Sequence, residues 1–166
     1  MVGEEAMKEE IEGMGIRVVS WEDKAEGMST NQMTEYKLDP EVTAVVAAAS
    51  KHFSYRQVAI ASMYLDQNKA RFLVANPDRN CGKGERSLPS GGCVAAAIAK
   101  VVGFEPEAMG KPNTNAFDVV RREHGLEKEP LDKFLMVGDF IETDIRYANN
   151  CGIDSLLVLS GCTTAH

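Results

Sequence analysis

The sequence is short of several things, and each shortage narrows the reading. No apolar run approaches the roughly 20 residues needed to span a bilayer. The start, MVGEEAMKEE, is acidic, with no basic segment leading into an apolar one. Neither a membrane span nor a secretory leader is expected, no membrane partner is expected, and the expected compartment is the cytosol. Bases are in the minority, 18 Lys and Arg against 25 Asp and Glu, for a net charge of −7. Residues 1–38 alone hold nine acids and four bases, and no basic patch fit for a phosphate backbone occurs elsewhere, so nucleic acid is not an expected partner. Histidine is scarce (His52, His124, His166), and the four cysteines at 81, 93, 151 and 162 form no CxxC pair. A zinc site is not expected, whereas four reduced thiols are. Repeats and low-complexity tracts are also absent.

What is there is an ordinary folded composition, 44% hydrophobic over 166 residues, enough for one domain or two small ones. Met7, Ile11 and Met14 recur at helical spacing, which predicts an amphipathic helix over 3–15. Residues 16–19 read as a short strand and 22–37 as polar loop. The run EVTAVVAAA over 41–49 predicts a buried strand, with helix an alternative for its alanines. Ser54 is a candidate N-cap for a helix through Leu65, and RFLVA over 71–75 is another strand. Residues 76–90, rich in Pro, Gly, Asn and Asp, read as a long loop, a kind that often carries function. Helices are predicted over 92–102, 113–124 and 143–150, each followed by glycine, with strands at 134–137 and 155–159. Alternating strands and helices give an α/β class with a mainly parallel sheet.

The most informative stretch is LMVGDFIETDI, residues 135–145, in which Asp139, Glu142 and Asp144 crowd three carboxylates into six positions. Glu142 and Asp144 at a helix start could complement its dipole, worth about 0.3–1 kcal/mol each. That does not explain Asp139, the first polar side chain beyond a strand end, where parallel sheets bind ligands. A hard cation such as magnesium, which takes one or two carboxylates plus water and phosphate oxygens, would relieve the repulsion. Lys111, pinned between Gly110 and Pro112, is either an exposed turn lysine or a fixed point charge for phosphate. It is not a Walker lysine: six residues separate Gly103 from Gly110, and Pro follows.

Taken together, GKP at 110–112, MVGDFIETDI at 136–145 and LLVLSGCTT at 156–164 resemble the C-terminal third of a haloacid dehalogenase-like phosphatase. The resemblance is to the branch of 4-nitrophenylphosphatase, phosphoglycolate phosphatase and pyridoxal phosphate phosphatase. LDPEVTAVVAAASKHFSYRQVAIASMYL (38–65), FLVANPD and LPSGGCVAAAI resemble that branch's α/β cap. The resemblance runs from about Val2 to Thr164 and implies two parts: a cap over 1–103, for specificity and dimerisation, and the C-terminal part of a Rossmann-like core over 104–166. It implies a magnesium-dependent hydrolase of small phosphorylated metabolites. Lys111 would neutralise phosphate and nucleophile, Asp139 would ligate Mg2+, and Asp144 would support the metal site. Asn76, Asp78, Asn80 and Cys81 would lie on the cap's substrate-facing loop.

Two departures qualify this expectation. Phe140 stands where the family usually has a polar residue, and no DxD occurs anywhere in the 166 residues. The family's nucleophile is the first Asp of a DxDG motif, and its general acid–base is the second. The chain is therefore expected to be catalytically incomplete by itself. The strand at 134–137 is expected to show an open edge, a template for pairing. A homodimer, or a pair with a full-length relative, is the expected assembly, and a non-catalytic binding partner is the alternative function.

Overall fold

The computed structural model describes residues 1–19, 27–83 and 86–163. The first part of the chain builds a three-stranded parallel sheet, β1 (Ala44–Ala47), β2 (Arg71–Val74) and β5 (Glu107–Ala108), with β2 in the middle. Val2 extends it by a parallel bridge to Ala47, its N–H donating to the Val46 carbonyl at 2.9 Å. The β-branched run of 41–49 does form a strand, and Ala48 lies beyond its end. Helix α3 (Tyr55–Gln67) starts on a reciprocal cap: Ser54 Oγ accepts the Gln57 N–H, and Gln57 Oε1 accepts the Ser54 N–H. Its Ile60, Ala61, Tyr64 and Leu65 are buried, as are Val94, Ala95, Ile98 and Ala99 of α4 (Gly91–Val102). These two helical stripes pack on Val45, Ala47, Phe72 and Val74 to form the main core. Gly103 ends α4 at φ +80°, a conformation open to glycine at no steric cost.

Several sequence expectations are corrected. Helix α1 is shorter than expected, Glu5–Gly13, and residues 16–19 form no strand. Part of the expected loop at 22–37 lies outside the described residues, and the rest holds a short helix, α2 (Thr30–Thr34). The expected loop at 76–90 is largely a hairpin, β3 (Asn80–Lys83) antiparallel to β4 (Arg86–Pro89). Strand β5 was not foreseen, because two residues carry too little pattern.

Beyond β5, α5 (Asn115–Glu123) buries Phe117 edge-on to Phe134, ring centroids 5.0 Å apart. The Arg121 guanidinium lies over both rings and donates to the carbonyls of Leu126, Glu127 and Glu129, which ties the following loop to the helix. A second sheet has two parallel strands, β6 (Leu135–Gly138) and β7 (Asp154–Leu157). Between them run a π-type turn, Ile141–Ile145, and α6 (Arg146–Cys151), closed by Gly152 at φ +70°. Lys111 and Asp139 therefore sit at the ends of strands in two different sheets. They do not share one.

Candidate active site

Three strand ends converge. The chain leaves β2 into Asn76 and Asp78, leaves the neighbouring β5 into Gly110 and Lys111, and leaves β6 into Asp139. Since β2 and β5 are adjacent and parallel, their carboxyl ends open on the same side. Gly110 is pressed against the Ala75 carbonyl, where a Cβ would collide, so the Lys111 backbone is seated on the end of the first sheet. From the second sheet's side, Asn150 Nδ2 donates to the Pro112 carbonyl at 2.8 Å.

Asp144 joins the two halves. It is only 4% exposed. One carboxylate oxygen, Oδ1, accepts from Lys111 Nζ at 2.5 Å. The other, Oδ2, accepts the backbone N–H groups of Asp139 at 3.0 Å and Phe140 at 3.1 Å. The turn around it explains the burial. Both Asp144 and Ile145 donate their N–H to the Phe140 carbonyl, and this wide turn buries Thr143 and Asp144. Gly138 makes the room, since a Cβ there would overlap the Asp144 side chain. Asp144, like Glu142, falls in the first turn of the helical segment that runs on into α6, so its place also suits the helix dipole, but its carboxylate is spent on Lys111 and two backbone N–H groups. Glu142 is exposed on the same turn.

Asp139 is held differently. Its Oδ2 accepts the Cys162 N–H at 2.6 Å, and its main-chain carbonyl accepts the Thr163 N–H at 3.0 Å. The Cys162 N–H is the main cause that holds the Asp139 carboxyl below the usual range, with smaller help from the Cys162 side chain and the Lys111 charge. The donor set can be tested against magnesium. Among the described residues no three His, Cys, Asp or Glu side chains cluster as a ready-made cage. An ionised carboxylate beside a lysine nevertheless fits a cation that keeps its waters and shares phosphate oxygens. Asp139 is the residue that would hold it, and both Asp144 oxygens are already engaged.

Of the substrate-facing candidates, Asn76 and Asp78 form the turn after β2, where Asn76 Oδ1 accepts the Asp78 N–H at 2.7 Å. Burial pushes the Asp78 carboxyl up, and the Asn76 side chain and the Lys111 charge offset part of that. Asp144 and Glu142 push it further up, so Asp78 lies within the field of the lysine and both acids. Its Oδ1 is buried without a hydrogen-bond partner. The start of α4 locks this turn: Gly92 donates to the Asp78 carbonyl, and a Cβ at Gly92 would run into the carbonyls of Pro77 and Asp78. Asn80 and Cys81 lie further on, in strand β3, with Cys81 exposed. The contribution of Gly138 and Cys162 was not foreseen; the only sequence signal was their place in the VGD and SGCTT runs.

A lysine and carboxylates gathered beyond the carboxyl ends of parallel strands stand where α/β sheets bind ligands. Residues 108–166 match the family described as HAD-hydrolase-like. Human glycerol-3-phosphate phosphatase is 30% identical over 166 residues, 99% of this chain and 51% of the human protein. The structure of 4-nitrophenylphosphatase from Thermotoga maritima matches with a TM-score of 0.67 at 33% identity, over 79% of this chain and 49% of that one. Glycerol phosphate phosphatase from Mycobacterium tuberculosis, in complex with calcium, matches with a TM-score of 0.75 at 27% identity, over 98% and 42%. Over residues 108–166 the chain matches the haloacid dehalogenase-like hydrolases, the relatives it resembles are phosphatases, and it spans about half the length of the curated relatives it matches.

Proposed function

We propose that the chain carries the lysine and cation-carboxylate part of a magnesium-dependent phosphomonoesterase acting on small phosphorylated metabolites. The observation behind this reading is the Lys111–Asp144–Asp139 linkage, in which one buried carboxylate fixes both a cationic side chain and the backbone of an acid from another strand. Lys111 presents its ammonium to the phosphate, with its side chain 46% exposed and its Nζ tethered by Asp144. Asp139 offers a carboxylate oxygen to Mg2+, which when bound would neutralise phosphate oxygens as a Lewis acid. Asp144 positions both and does not itself ligate. Asp78, and with less support Asn76, Asn80 and Cys81, face the substrate from the cap part, expected over 1–103, whose sheet also takes in β5 beyond that boundary; the residues after β5 are core.

The 166 residues hold no DxD, so we infer that the chain by itself does not form the covalent phosphoenzyme. Losing a nucleophile costs orders of magnitude in rate, about 10⁶ in one triad enzyme. Hydrolysis of 4-nitrophenyl phosphate with Mg2+, measured beside Asp139→Asn, tests this. No turnover in either is expected. Turnover that Asp139→Asn abolishes would mean that another carboxylate serves as nucleophile. The open edge of β6, with Leu135 and Val137 more than half exposed, favours a second reading as a non-catalytic pairing partner, a homodimer or a pair with a full-length relative. Sedimentation of the chain alone tests the homodimer, which a strictly monomeric chain at all concentrations would exclude.

A further inference from the structure

The assignment of Asp139 as the cation ligand leaves open what aims its carboxylate, and the following inference rests on that assignment. After β7 the chain doubles back over the end of β6. Val158 donates to the Gly138 carbonyl at 2.9 Å, and residues 161–163 then close around Asp139. Cys162 N–H takes Oδ2, and Thr163 N–H takes the main-chain carbonyl of the same residue. Position 161 must be glycine for this approach, because a Cβ there would overlap Asp139 Oδ2 itself. The acid is therefore gripped at two points by backbone that no other described element supplies.

We propose that the 161–163 turn is a positioning clamp for the cation-binding carboxylate, and that Gly161 is the residue that permits it. The clamp commits one carboxylate oxygen to the backbone and leaves the other to the cation. Magnesium demands near-ideal geometry and gives up its waters reluctantly, so a carboxylate fixed beforehand matters more for it than for a tolerant ion. Hydrogen-bond partners of a ligating carboxylate are worth about 10–100-fold in metal affinity. The arrangement mirrors the one at Asp144, where Gly138 makes the room and two backbone N–H groups fix the oxygen. In each case a glycine makes the room for a carboxylate to lie against the backbone.

The test is Mn2+ binding to the purified chain, read from loss of the free-ion electron paramagnetic resonance signal. It compares wild type, Gly161→Ala and Ser160→Ala, an exposed position just outside the clamp, with thermal unfolding of each. Gly161→Ala is expected to weaken Mn2+ binding by about 10–100-fold with little change in melting temperature. Ser160→Ala is expected to bind as wild type. Gly161→Ala binding as tightly as wild type would overturn the clamp, and so would equal losses in both variants, which would show that room at position 161 is not what matters. If Gly161→Ala does not fold, hydrogen exchange in the wild type decides. The Cys162 amide should exchange slowly and speed up in Asp139→Ala, and an equally fast amide in both would overturn the proposal. A wild type that binds no Mn2+ fells the assignment of Asp139 and the clamp with it. Tight wild-type binding with an indifferent Gly161→Ala fells the clamp alone.

Discussion

At the scale of single residues, the carboxylates differ in what the fold does to them. Asp144 satisfies two backbone donors and a lysine from a buried position. Solvent screens the half-exposed Lys111 end of the ion pair, whereas the backbone donors left behind by truncating the buried Asp144 are costly. Asp144→Ala is expected to lose about 2–4 kcal/mol in urea unfolding, with Lys111→Met losing less than half of that. Asp78 is the opposite case. Its carboxyl is pushed up in the fold, so its ionised form costs stability. The cost is present above the folded pKa and vanishes below the ordinary carboxylate range. Asp78→Asn is therefore expected to raise the melting temperature at about pH 7, with the gain fading toward about pH 3. A gain independent of pH would show that ionisation of Asp78 is not the source. The sequence alone marked Asp139 and Lys111 by their neighbours. It could not show that Asp144 turns inward, because that depends on the wide turn after Phe140 and on room at Gly138.

At the scale of elements, legibility follows the length and chemistry of the signal. Helix α3 was readable from Ser54 onward because its cap is written in adjacent side chains. Ser54→Ala is expected to cost about 1 kcal/mol, checked by thermal or denaturant unfolding. The C-terminal glycines of α4 and α6 were readable for the same reason, since their positive φ demands glycine. The β3–β4 hairpin was not readable. Its strands are polar and mostly exposed, so no alternation of apolar residues betrays them. Strand β5 exists only through pairing with β2, a long-range contact no local window contains. The start of α4 carries a site consequence: Gly92→Ala would drive a Cβ into the carbonyls that fix Asp78.

At the scale of the molecule, the main apolar core is drawn from residues between Val2 and Ala99, while the buried apolar side chains of the later residues are Phe117, Tyr147 and Ala148 among those described. The later part also exposes Leu135, Val137, Ile141 and Leu156. Limited proteolysis is expected to cut residues 104–163 well before the earlier part, and equal resistance of both parts would contradict that. The α/β class was legible in the sequence from the alternation of elements, whereas alternation alone did not separate the parallel strands into two sheets, and only the resemblance implied two parts. Lys111 is the point where they meet, following β5 of one sheet and bonded through Asp144 to the strand end of the other. The central claim is that this junction is a phosphate site, and the most direct measurement is 31P resonance of inorganic phosphate titrated with the chain, with and without Mg2+. Broadening that strengthens with Mg2+ and is lost in Lys111→Ala is the expected result. Broadening that survives Lys111→Ala and ignores Mg2+, or none in the wild type, would contradict it.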